Sequence, residues 1–326
     1  MSVPSTVRRY VEAFEHQPPP QVDARIRTQA AMGLWRALEH LGLPRVVERL
    51  CDLGAGETRL RPGFDYPSAG SDETGGYLGE GRFRFLNDEF DVGDPVDWNP
   101  AGRSLLWRFH LHYFDWAPRL ASEGRVDELG RQIESWIEQN RVGRQPTWHP
   151  FPTSLRIVNW VRAFHQMGAP GPRAAWVTSL RRQTAFLESH LEIHLGANHL
   201  IENAFSLLVA GVFFEGPVAR RWFALGTGLL TDELDKQVLP DGGHCERSLS
   251  YHLRVHLVCR EAIALLKANG RHVPAALSAV HERMSEFTAE VRHLDGNVPL
   301  FHDSQLIEES TWKRFQVLSR AAGASA

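Results

Sequence analysis

Residues 198–213 read NHLIENAFSLLVAGVF. Leu200, Ile201, Ala204, Leu207, Leu208 and Val212 recur at helical spacing, and Gly211 and Gly216 mark where the element ends. Further helical patterns lie on both sides, near 104–121, 126–140, 153–167, 174–193, 217–236, 247–268 and 274–292, separated by short Gly/Pro breaks. Connectors this short make sequential helices antiparallel neighbours. Stacked helical hairpins either wind into a superhelix or close into a ring, so the expected fold class is all-α.

Residues 52–102 differ. Gly54, Gly56, Pro62, Gly63, Pro67, Gly70, Gly75, Gly76, Gly79 and Gly81 make an irregular stretch around a short apolar alternation, Phe83, Phe85, Phe90 and Val92, which predicts a small hairpin. The first 50 residues read as one or two peripheral helices with Trp35, Leu38 and Leu41 on one face. No domain linker and no repeat of fixed period is legible. The last residues, Ala321 to Ala326, are expected to fray.

The chain's 36 basic and 39 acidic groups give a net charge of -3 and no electrostatic footprint for nucleic acid. No stretch is apolar for long enough to span a membrane, and Met1 to Pro20 has no apolar core of a signal peptide, so a cytoplasmic location is the expectation on sequence. Cys51, Cys245 and Cys259 form neither a disulfide framework nor a zinc ribbon, and no cofactor fingerprint stands out. The unusual features are ten tryptophans and 16 histidines. Aromatic rings fill cores and also stack on sugar faces.

Four segments carry more polar and aromatic residues than packing requires. In Trp107 to Trp116, the residues His110, Tyr113 and Trp116 fall one turn apart. In Trp148 to Trp160, Thr153 or Ser154 can cap a helix that presents Arg156, Asn159 and Trp160. Asn198, His199, Glu202 and Asn203 open the helix quoted above, where Asn198 is either an N-cap or a chemical group. Residues 237–252 combine a Pro240-Asp241-Gly242-Gly243 turn with His244, Glu246, Arg247, Tyr251 and His252, and Ser248 can cap the helix that follows. Duller readings stand beside these: an Arg156–Glu202 ion pair, and His252 and His256 as polar-face residues rather than metal ligands.

Asn198 to Asn203, Gln237 to His252 and Pro299 to Ser304 resemble the helical domain of the heparinase II/III family of polysaccharide lyases. Phe85-Leu86-Asn87, Asp97-Trp98-Asn99 and Pro152 to Trp160 are similar to that family's upstream signatures. The resemblance implies an incomplete α/α toroid of antiparallel helical hairpins over 101–326, with residues 1–100 packed on it as N-terminal helices and an irregular hairpin region. It also implies β-elimination on an acidic, uronate-containing polysaccharide, in a periplasmic or secreted setting; the residues seen require no cofactor or metal. Asn198 matches the family's carboxylate-binding Asn, with His199 beside it, and Tyr251 matches its catalytic Tyr. His252, Arg247, Glu246, Arg156, Asn159, Trp160, His110 and His302 would then bind substrate.

Cys245 and Leu249 depart from the family pattern, where an aromatic and a proline are expected. About twenty residues follow Ser304, too few for the family's β-sandwich, so a separately encoded sandwich is a possible partner. Two other readings remain open: a non-catalytic toroid that binds a glycan or a partner, and an inverting glycoside hydrolase using Asp241 and Glu246.

Overall fold

In the computed structural model the described residues are 33–34, 37–38, 41, 44–67, 76–169, 171–193, 195–293, 298–302, 304 and 309–322. Trp35, Gly70, Gly75, Asp303, residues 1–20 and residues 323–326 lie outside them. The elements are α1 (Pro44–Ala55), β1 (Arg59–Leu60), β2 (Tyr77–Gly79), β3 (Arg82–Phe85), β4 (Asp88–Asp91), α2 (Leu105–Tyr113), α3 (Ala117–Ser122), α4 (Val126–Gln139), α5 (Pro150–Gln166) and α6 (Ala174–Ser189). They continue with α7 (Ala197–Phe213), β5 (Phe214–Glu215), α8 (Pro217–Gln237), α9 (Leu249–Ala268), α10 (Ala275–Val291) and α11 (Glu309–Ala322).

Helices touch their neighbours in sequence, α7 and α8 most extensively, and also the next helix but one. α3 packs on α5, α5 on α7, α7 on α9 and α9 on α11, while α4 touches α6 and α8 touches α10. This is the double wall of an incomplete α/α toroid. Burial follows the same division: 15 of the 17 residues of α7 are buried, whereas α8 buries only Ala219, Trp222, Gly226, Leu230, Glu233, Leu234 and Gln237, a single face. A helix that is apolar nearly all round belongs inside, and an amphipathic one covers it.

The expected hairpin is present as a three-stranded antiparallel sheet, β2-β3-β4, with Phe83 opposite Phe90 and Phe85 opposite Asp88. Alternation turns Phe83 and Phe85 inward, against Trp116 at 5.8 Å and Trp107 at 5.2 Å. One continuous apolar core runs from Val47 through Phe83 and Trp98 to Met284.

The helix expected over 104–121 is two. α2 ends where Phe114 turns left-handed at φ 56°, and α3 starts with Pro118 in its first turn. Pro118 has no N–H for the carbonyl of Phe114, and its ring would crowd that oxygen in a continuous helix. α5 starts at Pro150, ahead of the expected Thr153 or Ser154 cap. His149 is its N-cap, its Nδ1 accepting from Phe151 N–H at 3.4 Å. α11 was not foreseen; Phe315 and Leu318 on it are buried, Phe315 against Leu249 and Leu253 of α9.

α7 and α8 approach through two glycines. A Cβ on Gly226 would lie 2.7 Å from Ala204 O, and one on Gly211 would lie 2.6 Å from Phe223 Cα. Both obstacles are backbone, which cannot rotate aside. Gly226→Ala is therefore expected to destabilise the fold by about 1–3 kcal/mol, despite the better helix propensity of Ala. Thermal melts beside Gly228→Ala, a site in open space, check it.

Candidate functional site

The N-terminal ends of α5, α7 and α9 converge. Phe151, in the first turn of α5, lies 4.3 Å from the His199 ring of α7 at a tilt of 31°, and the Arg254 guanidinium of α9 lies over the Phe151 ring at 5.4 Å. Arg254 Nε donates to Glu202 Oε1 at 2.9 Å. Burial works against the Arg254 charge, yet Glu202, with Tyr113 and Tyr251 nearby, holds its pKa above the ordinary value. Tyr251 is thus one turn from a cation paired to the helix that carries Asn198 and His199. Arg254 was not singled out in the sequence; its spacing of three from Tyr251 was the available signal.

Asn198 is not an N-cap. Gly196 holds that position, without any side-chain cap, and Asn198 sits inside the first turn, buried. Gly196 and Ala197 are both left-handed, at φ 60° and 48°, as is Arg247 at φ 55°. For Ala197 and Arg247 that conformation costs about 1–2 kcal/mol each. Strained non-glycine backbone flanks both candidate catalytic segments.

His199 Nδ1 is 3.1 Å from Glu192 Oε1. His110 packs between Phe85 and Tyr113, at 5.6 and 4.8 Å. Burial, then the charge of Arg254, pulls His110 down to about 4, and burial raises Tyr113 well above the usual phenol range. His110 is therefore a neutral hydrogen-bonding group at neutral pH, and Tyr113 keeps its proton.

A cavity of about 370 Å³ opens beside the start of α9. Arg247, His252, Phe287, Phe301 and His302 are among its lining residues, so three proposed substrate contacts gather there. Glu246 is exposed and outside that lining. Ser248 does not cap α9 with its side chain; Ser304 Oγ takes the Leu249 N–H at 2.8 Å instead, tying the Pro299–Ser304 motif to the site. His252 and His256 are buried rather than on a polar face, and both reach Thr288 Oγ1, at 2.9 and 3.0 Å. Among the described residues no group of three or more His, Cys, Asp or Glu side chains is placed to hold a metal ion, and no helix is long and apolar enough to cross a membrane.

Three of the residues expected to contact substrate are buried and engaged within the fold. Trp160 is fully buried between Phe114, Trp136 and Phe164. Asn159 uses its amide internally, donating to Tyr113 O at 2.9 Å and accepting from Arg162 at 2.9 Å. Arg156 has no solvent exposure and does not pair with Glu202. Its guanidinium donates to Gln183 Oε1, His112 O, Thr147 O and Thr153 Oγ1 and lies 4.1 Å over Trp136. α5 is buried over 13 of its 17 residues, so these three lie inside the fold along with the apolar Ile157, Val161 and Phe164. Arg156→Met is expected to cost about 2 kcal/mol or more, since it orphans several buried acceptors at about 1–3 kcal/mol each; chemical denaturation measures it.

Burial holds His110, His190, His244, His252 and His281 at about 4, against an ordinary value of 6.5. The unfolded chain therefore binds more protons than the folded one between those values. Stability from these neutral histidines is complete above pH 6.5 and is lost as pH falls toward 4. A melting midpoint that stays level across that window would contradict the assignment.

The family model described as Heparinase II/III N-terminus matches residues 80–322. The chain is 27% identical over 240 residues to a heparin-sulfate lyase of Bacteroides thetaiotaomicron, a match covering 66% of this chain and 34% of that protein. It is 28% identical over 220 residues to FtsZ-localized protein C of Caulobacter vibrioides, covering 66% and 37%. The crystal structure of heparinase III superposes with a TM-score of 0.65 at 21% identity, over 89% of this chain and 51% of that one. The chain thus spans about a third of the length of these curated relatives and half of the solved structure. On the match over residues 80–322 and the shared helical toroid, this chain belongs to the heparinase II/III family, through that family's N-terminal region.

Proposed function

We propose that this chain is the helical catalytic domain of a polysaccharide lyase that cleaves a uronate-containing glycan, of the heparin/heparan sulfate, alginate or exopolysaccharide kind, by β-elimination. The observation that carries the reading is the convergence of the α7 start, with Asn198 and His199, on the α9 start, with Tyr251, through the Arg254–Glu202 pair. The heparin-sulfate lyase among the relatives supports it.

The chemistry has three requirements. The C5–H bond of the uronate breaks, its electron pair forms the C4–C5 double bond, and the C4–O4 bond breaks as O4 takes a proton. Negative charge builds on the carboxylate meanwhile, and a donor aimed at it lowers the barrier. Asn198 is a neutral donor at the uncapped N-terminus of α7, where the helix dipole also favours an anion. His199 and Tyr251 divide the proton work, one accepting from C5 and the other donating to O4. Arg254 is already neutralised by Glu202, so its contribution is to set the geometry between the two helices and to grip substrate oxygens.

A second reading, a toroid that binds a partner without cleaving, is favoured by one finding, the comparable similarity to FtsZ-localized protein C. The hydrolase reading has less support: Asp241 Oδ1 accepts from Gly243 N–H at 2.9 Å within its own turn, and Glu246 does not line the cavity.

The test is ultraviolet absorbance of the unsaturated uronate while the chain is incubated with heparan sulfate, hyaluronan, alginate and bacterial exopolysaccharides. Turnover is expected on one class, falling about 10²–10³-fold in Asn198→Ala and similarly in Tyr251→Phe, with melting points unchanged. New reducing ends without the chromophore would mean hydrolysis; no cleavage of any glycan would favour the binding toroid.

A further inference from the structure

Glu192 stands in the loop between α6 and α7 and is used by no step above. It is 2% exposed, an unusual position for a carboxylate. Both oxygens are engaged: Oε2 accepts from Asn203 Nδ2 at 3.1 Å, and Oε1 faces His199 Nδ1 at 3.1 Å. Asn203, fully buried on α7, holds the residue twice, since its Oδ1 also accepts the Glu192 backbone N–H at 2.8 Å. Its Nδ2 further donates to Ser154 Oγ of α5 at 2.9 Å.

We propose that Glu192 is a positioning residue that keeps the His199 proton on Nδ1, so that Nε2 is the nitrogen offered to the substrate. A carboxylate only accepts, so the hydrogen between the two groups belongs to the imidazole Nδ1. The lone pair of the neutral ring is then on Nε2, which bonds no other described residue. The His199 side chain is 35% exposed, with the Phe151 ring 4.3 Å away and Nδ1 tied to the buried Glu192. His149 Nδ1 also comes within 3.8 Å of Glu192 Oε1, but that nitrogen accepts the Phe151 N–H, so it carries no proton for Glu192 in the neutral ring. Glu192 thereby hydrogen-bonds His199 and holds it as a base at Nε2, which after proton uptake becomes a donor at the same atom.

Asn203 makes the arrangement directional. Its Oδ1 is fixed by the Glu192 backbone, so its Nδ2 must face an acceptor. In Glu192→Gln the amide oxygen is required there, which turns the amide NH₂ toward His199 Nδ1 and moves the imidazole proton to Nε2. The isosteric change thus inverts the tautomer without removing volume.

Long-range 1H–15N correlation spectra of the full chain with labelled histidine, assigned with His199→Gln, read the tautomer directly. The wild type is expected to show a protonated Nδ1 and an unprotonated Nε2 at His199, and Glu192→Gln the reverse. A wild-type ring protonated at Nε2 overturns the proposal without recourse to any variant, as does a folded Glu192→Gln with the wild-type tautomer. The catalytic consequence rests on the lyase reading: on a glycan the wild type cleaves, kcat of Glu192→Gln should fall about tenfold or more with KM little changed. Absence of cleavage by the wild type would sink that reading and leave the tautomer assignment standing or falling on the spectra.

Discussion

The structure depends on one constraint: α7 is enclosed on nearly every side, so each polar group on it must find its partner inside the protein. Buried polar atoms without partners cost too much to persist. Asn203 therefore binds Glu192 and Ser154, Glu202 takes Arg254, and Ser206 returns its hydroxyl to the Asn203 carbonyl. These obligations tie α7 to α5, to the loop before it and to α9. Its first turn, uncapped and opening with the left-handed Ala197, carries Asn198 and His199, whose Nε2 bonds no other described residue. The candidate chemistry lies where the burial of the helix stops.

Arg156 meets the same constraint by other means. A guanidinium taken from water with no carboxylate beside it is costly, and burial accordingly holds its pKa below the ordinary value. Four neutral acceptors and the face of Trp136 offset that cost, since the charge is spread over a planar fork that stacks as well as donates. The residue joins α5 to the end of α2, to the loop before α5 and to α6. It holds the wall from which Phe151 reaches His199. Its worth to function is indirect, through the placing of that ring.

Most helices were legible in the sequence because their apolar spacing is long and regular, and because Gly or Pro punctuates their ends. The small sheet was legible from the Phe83, Phe85, Phe90 and Val92 alternation. Failures fell at helix starts, where tertiary partners replaced local ones. Ser304, 55 residues away in the chain, supplies the cap expected of Ser248, and His149 supplies the one expected of Thr153 or Ser154. The break at Phe114 is marked in the sequence by Pro118, but the apolar run on both sides of it keeps helical spacing and masks it. α11 is not legible because, among the residues whose burial is described, only Phe315 and Leu318 are buried, too few to stand out as a stripe.

The sequence by itself determined the class of the fold and the residues that distinguish this family, because periodicity and local motifs are properties of neighbours in the chain. It also placed Asn198, His199 and Tyr251 at helix starts. Only the tertiary structure decided which polar residues serve the core and which face the cleft. Arg156, Asn159 and Trp160 share a helix with Phe151, which meets His199, yet their own partners lie within the core. Arg254 acquires its partner across the toroid, from a residue 52 positions earlier, whereas Glu192 finds His199 and Asn203 only because the loop before α7 folds back on that helix's first turns. A one-dimensional pattern gives the face of a helix, but what lies opposite that face is set by the closing of the ring.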